Sequence, residues 1–150
     1  MPAPYTGGCQ CGSVRYVVTT EPIRLLACHC KECQRQSASA FGMSMPVKKD
    51  SLTVTGLTKQ FTRIADSGNE VTGVFCPECG VRIYHLLKSA PDVASIKPGT
   101  LDDTRWLRPD LFIWMKSTQR GGRVGLNSVS VPIDGFPANY LHRLPWCGVA

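Results

Sequence analysis

The cysteines of this chain are clustered, and the clustering restricts the possible folds more than any other feature of the sequence. Seven of the eight cysteines form a C-x-C pair, a C-x-C-x-x-C triplet and a C-x-x-C pair: Cys9 and Cys11, Cys28, Cys30 and Cys33, and Cys76 and Cys79. Thiolates two or three residues apart can turn toward one ion, and Zn²⁺ is satisfied by four sulfur ligands in a tetrahedron. The spacing therefore predicts a chain that folds around bound metal.

Metal binding is favoured over a disulfide framework because nothing in the sequence indicates export. Residues 1–12 lack the basic start and the apolar stretch of a secretory signal. No apolar run approaches the ~20 residues that a membrane helix needs, and the longest candidate, residues 111–115, has the length of a strand. We therefore expect a cytoplasmic protein with no membrane partner, whose cysteines stay reduced.

The formal net charge of +6 suggests an anionic partner such as nucleic acid. Seven thiolates that hold two divalent ions would remove three positive charges, which leaves a net charge of about +3, an ordinary value for one domain. The charge therefore gives little support to nucleic-acid binding, and we expect none.

The 150 residues have the length of one domain, and no linker or repeat divides them. Short runs rich in Val, Ile, Thr and Tyr, separated by turn residues, predict an all-β fold of mainly antiparallel strands. The predicted strands are residues 13–20, 23–28, 41–47, 52–55, 60–64, 70–75, 81–87, 93–97, 111–116 and 128–133. Residues 31–37 are predicted to form one or two helical turns, and the glycine-rich, basic segment 119–125 is predicted to be mobile.

Loop closure predicts how the seven cysteines divide between metal ions. Cys28, Cys30 and Cys33 close only small loops and should share one ion. The other four would then form a closed four-sulfur site, which is typical of structural zinc, whereas three sulfurs leave one position for water or substrate. A second partition also fits the spacing, with one ion on Cys9, Cys11, Cys28 and Cys30 and the other on Cys33, Cys76 and Cys79.

Two other interpretations are compatible with the same residues. Two purely structural zinc sites would fit if His29, His85 or Cys147 completed one of them. Cys76 and Cys79 could instead form a redox pair, but the βαβ context of such pairs is missing. Cys147 by itself is typical of a small buried apolar residue.

The cysteine motifs and their flanking residues resemble the glutathione-dependent formaldehyde-activating enzyme family, which includes the centromere protein V domain. The resemblance extends over residues 5–116 and is carried by residues 7–16, 28–33, 75–80 with Ile83 and Tyr84, and 99–103. It implies a β-tent fold of small antiparallel sheets around two zinc ions. It also implies that Cys9, Cys11, Cys76 and Cys79 bind the structural ion and that Cys28, Cys30 and Cys33 bind the catalytic one.

The family resemblance further implies a carbon–sulfur lyase whose partner is a small thiol such as glutathione. The reaction joins glutathione and formaldehyde as S-hydroxymethylglutathione, or runs in reverse. A proton must move to or from the hydroxyl oxygen, and the candidate groups are His29, Glu32, His85 and Asp102. Glutathione carries two carboxylates, so a basic clamp is expected; its candidates are Arg15, Arg35, Lys116 and Arg120.

The alternative hypothesis is a non-catalytic zinc module that binds a thiol, a protein or nucleic acid. Its support is the basic segment 105–123, which carries Trp106 and Trp114, because aromatic rings among positive charges can stack on bases. The two hypotheses differ in whether the site of Cys28, Cys30 and Cys33 keeps an exchangeable ligand position.

Overall fold

A computed structural model describes residues 2–119 of the chain. These residues form ten β-strands, one α-helix and three short 3₁₀ turns. The strands are β1 Tyr5–Gly8, β2 Arg15–Val18, β3 Leu26–Cys28, β4 Gly42–Lys48, β5 Leu52–Thr55, β6 Lys59–Ile64, β7 Glu70–Phe75, β8 Arg82–Leu87, β9 Ala90–Ile96 and β10 Leu111–Ile113. The helix α1 spans Lys31–Ser37. No helix in the described part of the chain is long and apolar enough to cross a membrane.

The strands form two sheets, and the prediction of a mainly antiparallel β protein is confirmed. The smaller sheet has the order β1-β2-β5, and the larger one has the order β10-β3-β4-β9-β8-β7-β6. Between them lies a core of fully or almost fully buried side chains that includes Tyr5, Tyr16, Met45, Ile83 and Ile96. Burial of a large apolar side chain contributes ~1.5–3 kcal/mol, so this core holds the two sheets together.

Three features of the fold differ from the sequence-based predictions. Strand β1 was not predicted, because it is short and two of its four residues are glycines, which have low strand propensity; its pairing with β2 holds it extended. The predicted strand 111–116 ends at Ile113, because Trp114 has left-handed backbone torsions with φ 58°. Strand β10 also pairs with β3 in parallel, which a reading of local patterns cannot detect. The predictions for residues 120–125 and 128–133 lie outside the described residues.

Candidate metal centres and adjoining cavities

The two cysteine pairs that are far apart in the sequence meet in one cluster. Cys9 and Cys11 follow β1, and Cys76 and Cys79 follow β7. The four sulfur atoms all lie within 4.8 Å of one another. The Sγ atoms of Cys9 and Cys11 are 3.4 Å apart, and those of Cys11 and Cys76 are 3.7 Å apart. This four-sulfur cluster connects the N-terminal strand to the middle of the chain.

Each half of the four-sulfur cluster is a tight turn that ends in a glycine. Gly12 and Gly80 have φ values of 81° and 73°, which L side chains adopt only with strain. Their N–H groups donate to the carbonyl oxygens of Cys9 and Cys76, at 3.1 and 2.9 Å. The N–H of Val14 donates to Cys9 Sγ at 3.2 Å. Backbone donors of this kind stabilise thiolates and are typical of metal-binding turns.

The three remaining described cysteines form a second cluster at the junction of β3 and α1. Cys28 is the last residue of β3, Cys30 caps the N-terminus of α1, and Cys33 lies in its first turn. Their sulfur atoms also lie within 4.8 Å of one another. The N–H of Cys33 donates to Cys30 Sγ at 3.3 Å. Among the described residues, the cysteine sulfurs therefore group as in the first of the two partitions, with Cys28, Cys30 and Cys33 in one cluster and the other four in the second.

The donor chemistry of the three-sulfur cluster suits a soft divalent metal. Interactions with the sulfurs of Cys28 and Cys33, together with backbone N–H groups, lower the pKa of the Cys30 thiol. The same proximity raises the pKa of Cys28 well above its ordinary value. Three sulfurs at this spacing cannot all ionise without a nearby cation, and a metal bound by thiolates supplies that charge. Both clusters could therefore hold a metal ion.

The three-sulfur cluster opens onto a cavity of about 130 Å³ on one face of the larger sheet. Cys28, Cys30 and Cys33 form one wall of this first cavity, and Trp114 lies beside them. Trp114 comes to this position because β10 pairs with β3, with Ile113 opposite Cys28, and because the His29 N–H donates to the Ile113 carbonyl at 2.9 Å. The four-sulfur cluster does not line this cavity. The two clusters thus differ both in sulfur number and in access.

His85 is the histidine that lines the first cavity within the described residues. It lies in β8 with Gly73 of β7 on one side and Ser95 of β9 on the other. Burial, reinforced by the positive charges of Lys97 and Arg82, holds the pKa of His85 well below its usual range. The imidazole is therefore uncharged near pH 7, and its unprotonated ring nitrogen can accept a hydrogen bond.

Glu32 also lines the first cavity, but its carboxylate is occupied by two cations. Arg35 contacts it at 2.5 Å across one helical turn, and Arg63 of β6 contacts it at 3.8 Å. These ion pairs position the carboxylate as a bridge between α1 and β6. Glu32 is thus better suited to orienting cations than to donating a proton.

The structure places His29 and Asp102 away from this cavity, which contradicts the hypothesis that either transfers a proton there. The His29 ring is fully buried between Phe41 and Phe112, with ring centroids 5.3 and 6.4 Å away. Burial lowers its pKa, so it is a neutral packing residue. Asp102 instead pairs with Arg15 of the smaller sheet, at 2.5 Å.

The predicted basic clamp is only partly found. Arg15 is engaged by Asp102, and Lys116 lies over the Trp114 ring with its Nζ 5.2 Å from the centroid. Arg35 lines a second cavity, and Arg120 lies outside the described residues. The cations that sequence reasoning missed are Arg63, Arg82 and Lys97, all of which line that second cavity. In the sequence, these three residues are distinguished only by their positions in or next to strands. Those positions predict a shared cavity only when the register of the sheet is known.

The segment that supported the nucleic-acid hypothesis is not one continuous face. Trp106 packs against Tyr5, with ring centroids 5.1 Å apart, so it contributes to the core. Arg105 pairs with Asp103 at 2.8 Å. Trp114 lines the first cavity. The described part of the segment therefore presents no row of exposed aromatic rings for stacking on bases.

Comparison with known proteins agrees with this arrangement. A model of the family described as glutathione-dependent formaldehyde-activating enzyme matches residues 4–117. A crystal structure of a Rhodobacter sphaeroides protein superimposes with a TM-score of 0.54 at 19% sequence identity, covering 67% of this chain and 91% of that one. At this identity the likeness concerns the fold alone. The family match spans both cysteine clusters and every element around the cavities, and the chain therefore belongs to the glutathione-dependent formaldehyde-activating enzyme family.

Proposed function

We propose that the protein is a zinc-dependent carbon–sulfur lyase that acts on a thiol adduct of the S-hydroxymethylglutathione type, with one zinc ion in each cysteine cluster. The observation that carries this proposal is the contrast between the clusters. The four-sulfur cluster offers a complete tetrahedral set, whereas the cluster of Cys28, Cys30 and Cys33 offers three sulfurs and borders the first cavity. An incomplete ligand set beside a cavity is typical of a catalytic zinc site.

In the cleavage direction, the C–S bond of the hemithioacetal breaks and the sulfur keeps the electron pair. The hydroxyl oxygen loses its proton and forms the C=O bond of formaldehyde, so the products are a thiol and an aldehyde. A zinc ion held by the three sulfurs would supply Lewis acidity toward the substrate sulfur. The addition direction follows the same path in reverse.

The residues of the chain contribute binding and proton transfer. We propose that His85 accepts the hydroxyl proton, because its neutral imidazole borders the same cavity as Cys33. Trp114 and Leu26 supply the apolar part of the cavity wall, and they limit the access of water to the reacting atoms. Glu32 holds Arg63 at the rim through the ion pair described above.

Cobalt substitution tests this function without relying on turnover. In cobalt-loaded protein, glutathione should change the thiolate charge-transfer band of the three-sulfur site, and Cys30→Ser should abolish the response. Release of formaldehyde from S-hydroxymethylglutathione should follow the same dependence. A spectrum that stays unchanged with glutathione and other small thiols would contradict the proposal. The alternative, a non-catalytic zinc-binding module for a protein or nucleic acid partner, would then be favoured.

A further inference from the structure

The second cavity, of about 240 Å³, adjoins the three-sulfur cluster and is strongly cationic. Cys33, Glu32 and His85 line both cavities, so these side chains form a wall that the two adjacent cavities share. Four basic residues line the second cavity: Arg35, Arg63, Arg82 and Lys97. Among the described residues, Glu32 is the one acidic residue that lines this cavity. The cavity therefore has an excess of positive charge.

The excess charge is located on Arg82 and Lys97. Glu32 is shared by Arg35 and Arg63, as described above. Lys97 is buried and its Nζ lies 3.2 Å from the Oγ of Ser44, a neutral partner. Within residues 2–119, Arg82 makes neither a hydrogen bond nor an ion pair. Guanidinium stays charged at any ordinary pH, so this partly buried cation has no carboxylate partner, and the nearby negative charge that acts on it is that of the Cys33 thiolate.

The position of the Arg82 guanidinium depends on a glycine. A Cβ atom on Gly73 would lie 2.0 Å from Arg82 Nη1 and 2.1 Å from Cζ. The guanidinium therefore occupies the space beside β7 that any other side chain at residue 73 would fill. Gly73 pairs with Phe61 on one side and His85 on the other, and all three residues line the second cavity together with Arg82. This packing against Gly73 restricts where the guanidinium can lie in that cavity wall.

Electrostatics agree with the geometry. Burial lowers the pKa of Arg82 and the nearby positive charge of Arg63 lowers it further, and the negative charge of Cys33 offsets only part of this. An anion in the second cavity would relieve both effects, because it replaces lost hydration and screens the two guanidinium groups from each other. Carboxylate matches the fork of arginine through two parallel hydrogen bonds.

We propose that Arg82 and Lys97, with the guanidinium seated on Gly73, form a subsite for a carboxylate of the substrate whose sulfur binds at the cluster of Cys28, Cys30 and Cys33. This inference rests on the proposed function for the thiol, but the anion subsite stands on its own residues. It makes Arg82 a determinant of specificity for acidic thiols over neutral ones. Cys33 borders both cavities, so a ligand whose sulfur binds at its cluster would have its carboxylates next to the second cavity.

The test compares glutathione with glutathione diethyl ester, which lacks both carboxylates, in titration calorimetry of the zinc-loaded protein. Wild-type protein should bind the ester at least ~10-fold more weakly than glutathione, as expected for loss of charge-assisted hydrogen bonds.

Variants of the subsite should change this preference. Arg82→Gln should weaken the binding of glutathione and abolish the difference in affinity between glutathione and its ester. Gly73→Ala should do the same while keeping the charge, and Arg82→Lys should keep part of the preference. Arg105→Gln, an exposed arginine paired with Asp103, is the matched control and should behave like wild type.

Equal affinities of wild-type protein for the acid and the ester would overturn the subsite, and this comparison needs no variant that might fail to fold. The subsite would also be overturned if Arg82→Gln weakened the binding of glutathione and of the ester by the same factor. S-methylglutathione separates the subsite from the proposed function, because it keeps the carboxylates and has no ionisable thiol. If glutathione fails to reach the metal but S-methylglutathione binds in an Arg82-dependent way, the lyase proposal is wrong and the carboxylate subsite is right.

Discussion

The side-chain amide of Gln34 donates to the carbonyl oxygen of Ser117 at 2.9 Å, which joins helix α1 to the segment that follows β10. The same Nε2 atom donates to the His29 carbonyl at 2.6 Å. Gln34 is buried, and its Oε1 accepts from Gln119 Nε2 at 3.0 Å. One amide thus connects the turn between Cys28 and Cys30 to the chain that carries Trp114.

We expect Gln34→Leu to destabilise the protein by about 1–3 kcal/mol, because it leaves buried carbonyl groups without a donor. Urea unfolding monitored by tryptophan fluorescence measures the effect. Gln36→Leu, on the same helix and only partly buried, is the control and should change the free energy of unfolding by less than about 0.5 kcal/mol. Equal effects of the two substitutions would show that the hydrogen bonds of Gln34 contribute no more to the free energy of unfolding than the side chain of Gln36 does.

The two cysteine clusters should respond differently to mutation. Cys79→Ser should leave the protein unfolded or aggregated, because the four-sulfur cluster connects distant segments and structural zinc contributes about 10–16 kcal/mol of binding energy to folding. Cys30→Ser should stay folded with about one zinc ion, since its cluster closes only local loops.

Circular dichroism and elemental analysis of protein purified without chelators measure both outcomes, and wild type should contain two zinc ions per chain. One zinc ion or none in wild type would contradict the two-site proposal. Equal loss of folding in the two variants would instead favour two structural sites.

His85→Asn should lower the rate of formaldehyde release by about 10²–10⁴-fold while zinc content and stability stay near wild type, because it removes the proposed proton acceptor. Tyr84→Phe is the matched control, since Tyr84 is the preceding residue and packs against the core. A variant of His85 with wild-type turnover would exclude this role.

Asp102 should contribute to stability and not to catalysis. Its ion pair with Arg15 lowers the pKa of Asp102 below its ordinary value of 3.8, so the stabilisation is complete above that pH and is lost only as the pH falls through the folded-state pKa. Both side chains are about half exposed, which limits the coupling to about 1 kcal/mol or less.

A double-mutant cycle of Asp102→Asn and Arg15→Gln should therefore give the same small coupling at pH 5.5 and at pH 8. Formaldehyde release by Asp102→Asn should equal that of wild type. A large loss of activity in this variant would return Asp102 to the list of proton-transfer groups.

Much of the fold was predictable because strand propensity and turn chemistry are local. The hairpin of β6 and β7 is an example: the strands predicted at residues 60–64 and 70–75 are found, joined by a turn with a hydrogen bond from the Ala65 N–H to the Asn69 carbonyl and a left-handed Gly68. Strand β10 is the counter-example. Its end at Trp114 depends on the register with β3, which is a long-range pairing that no local pattern encodes.

The sequence itself determined the three local cysteine groups, because ligands two or three residues apart close only short loops. It left two partitions between metal ions open, and the tertiary structure selected one of them by bringing Cys76 and Cys79 beside Cys9 and Cys11. The tertiary structure decided the rest of the site, since Arg63, Arg82, His85 and Lys97 come from β6, β8 and the end of β9 and meet only through cross-strand register. It also decided that Arg15 and Asp102 pair with each other and that neither lines the two cavities. A metal-binding turn is a short-range property of the chain, whereas a cavity wall is made by the twist and order of a whole sheet.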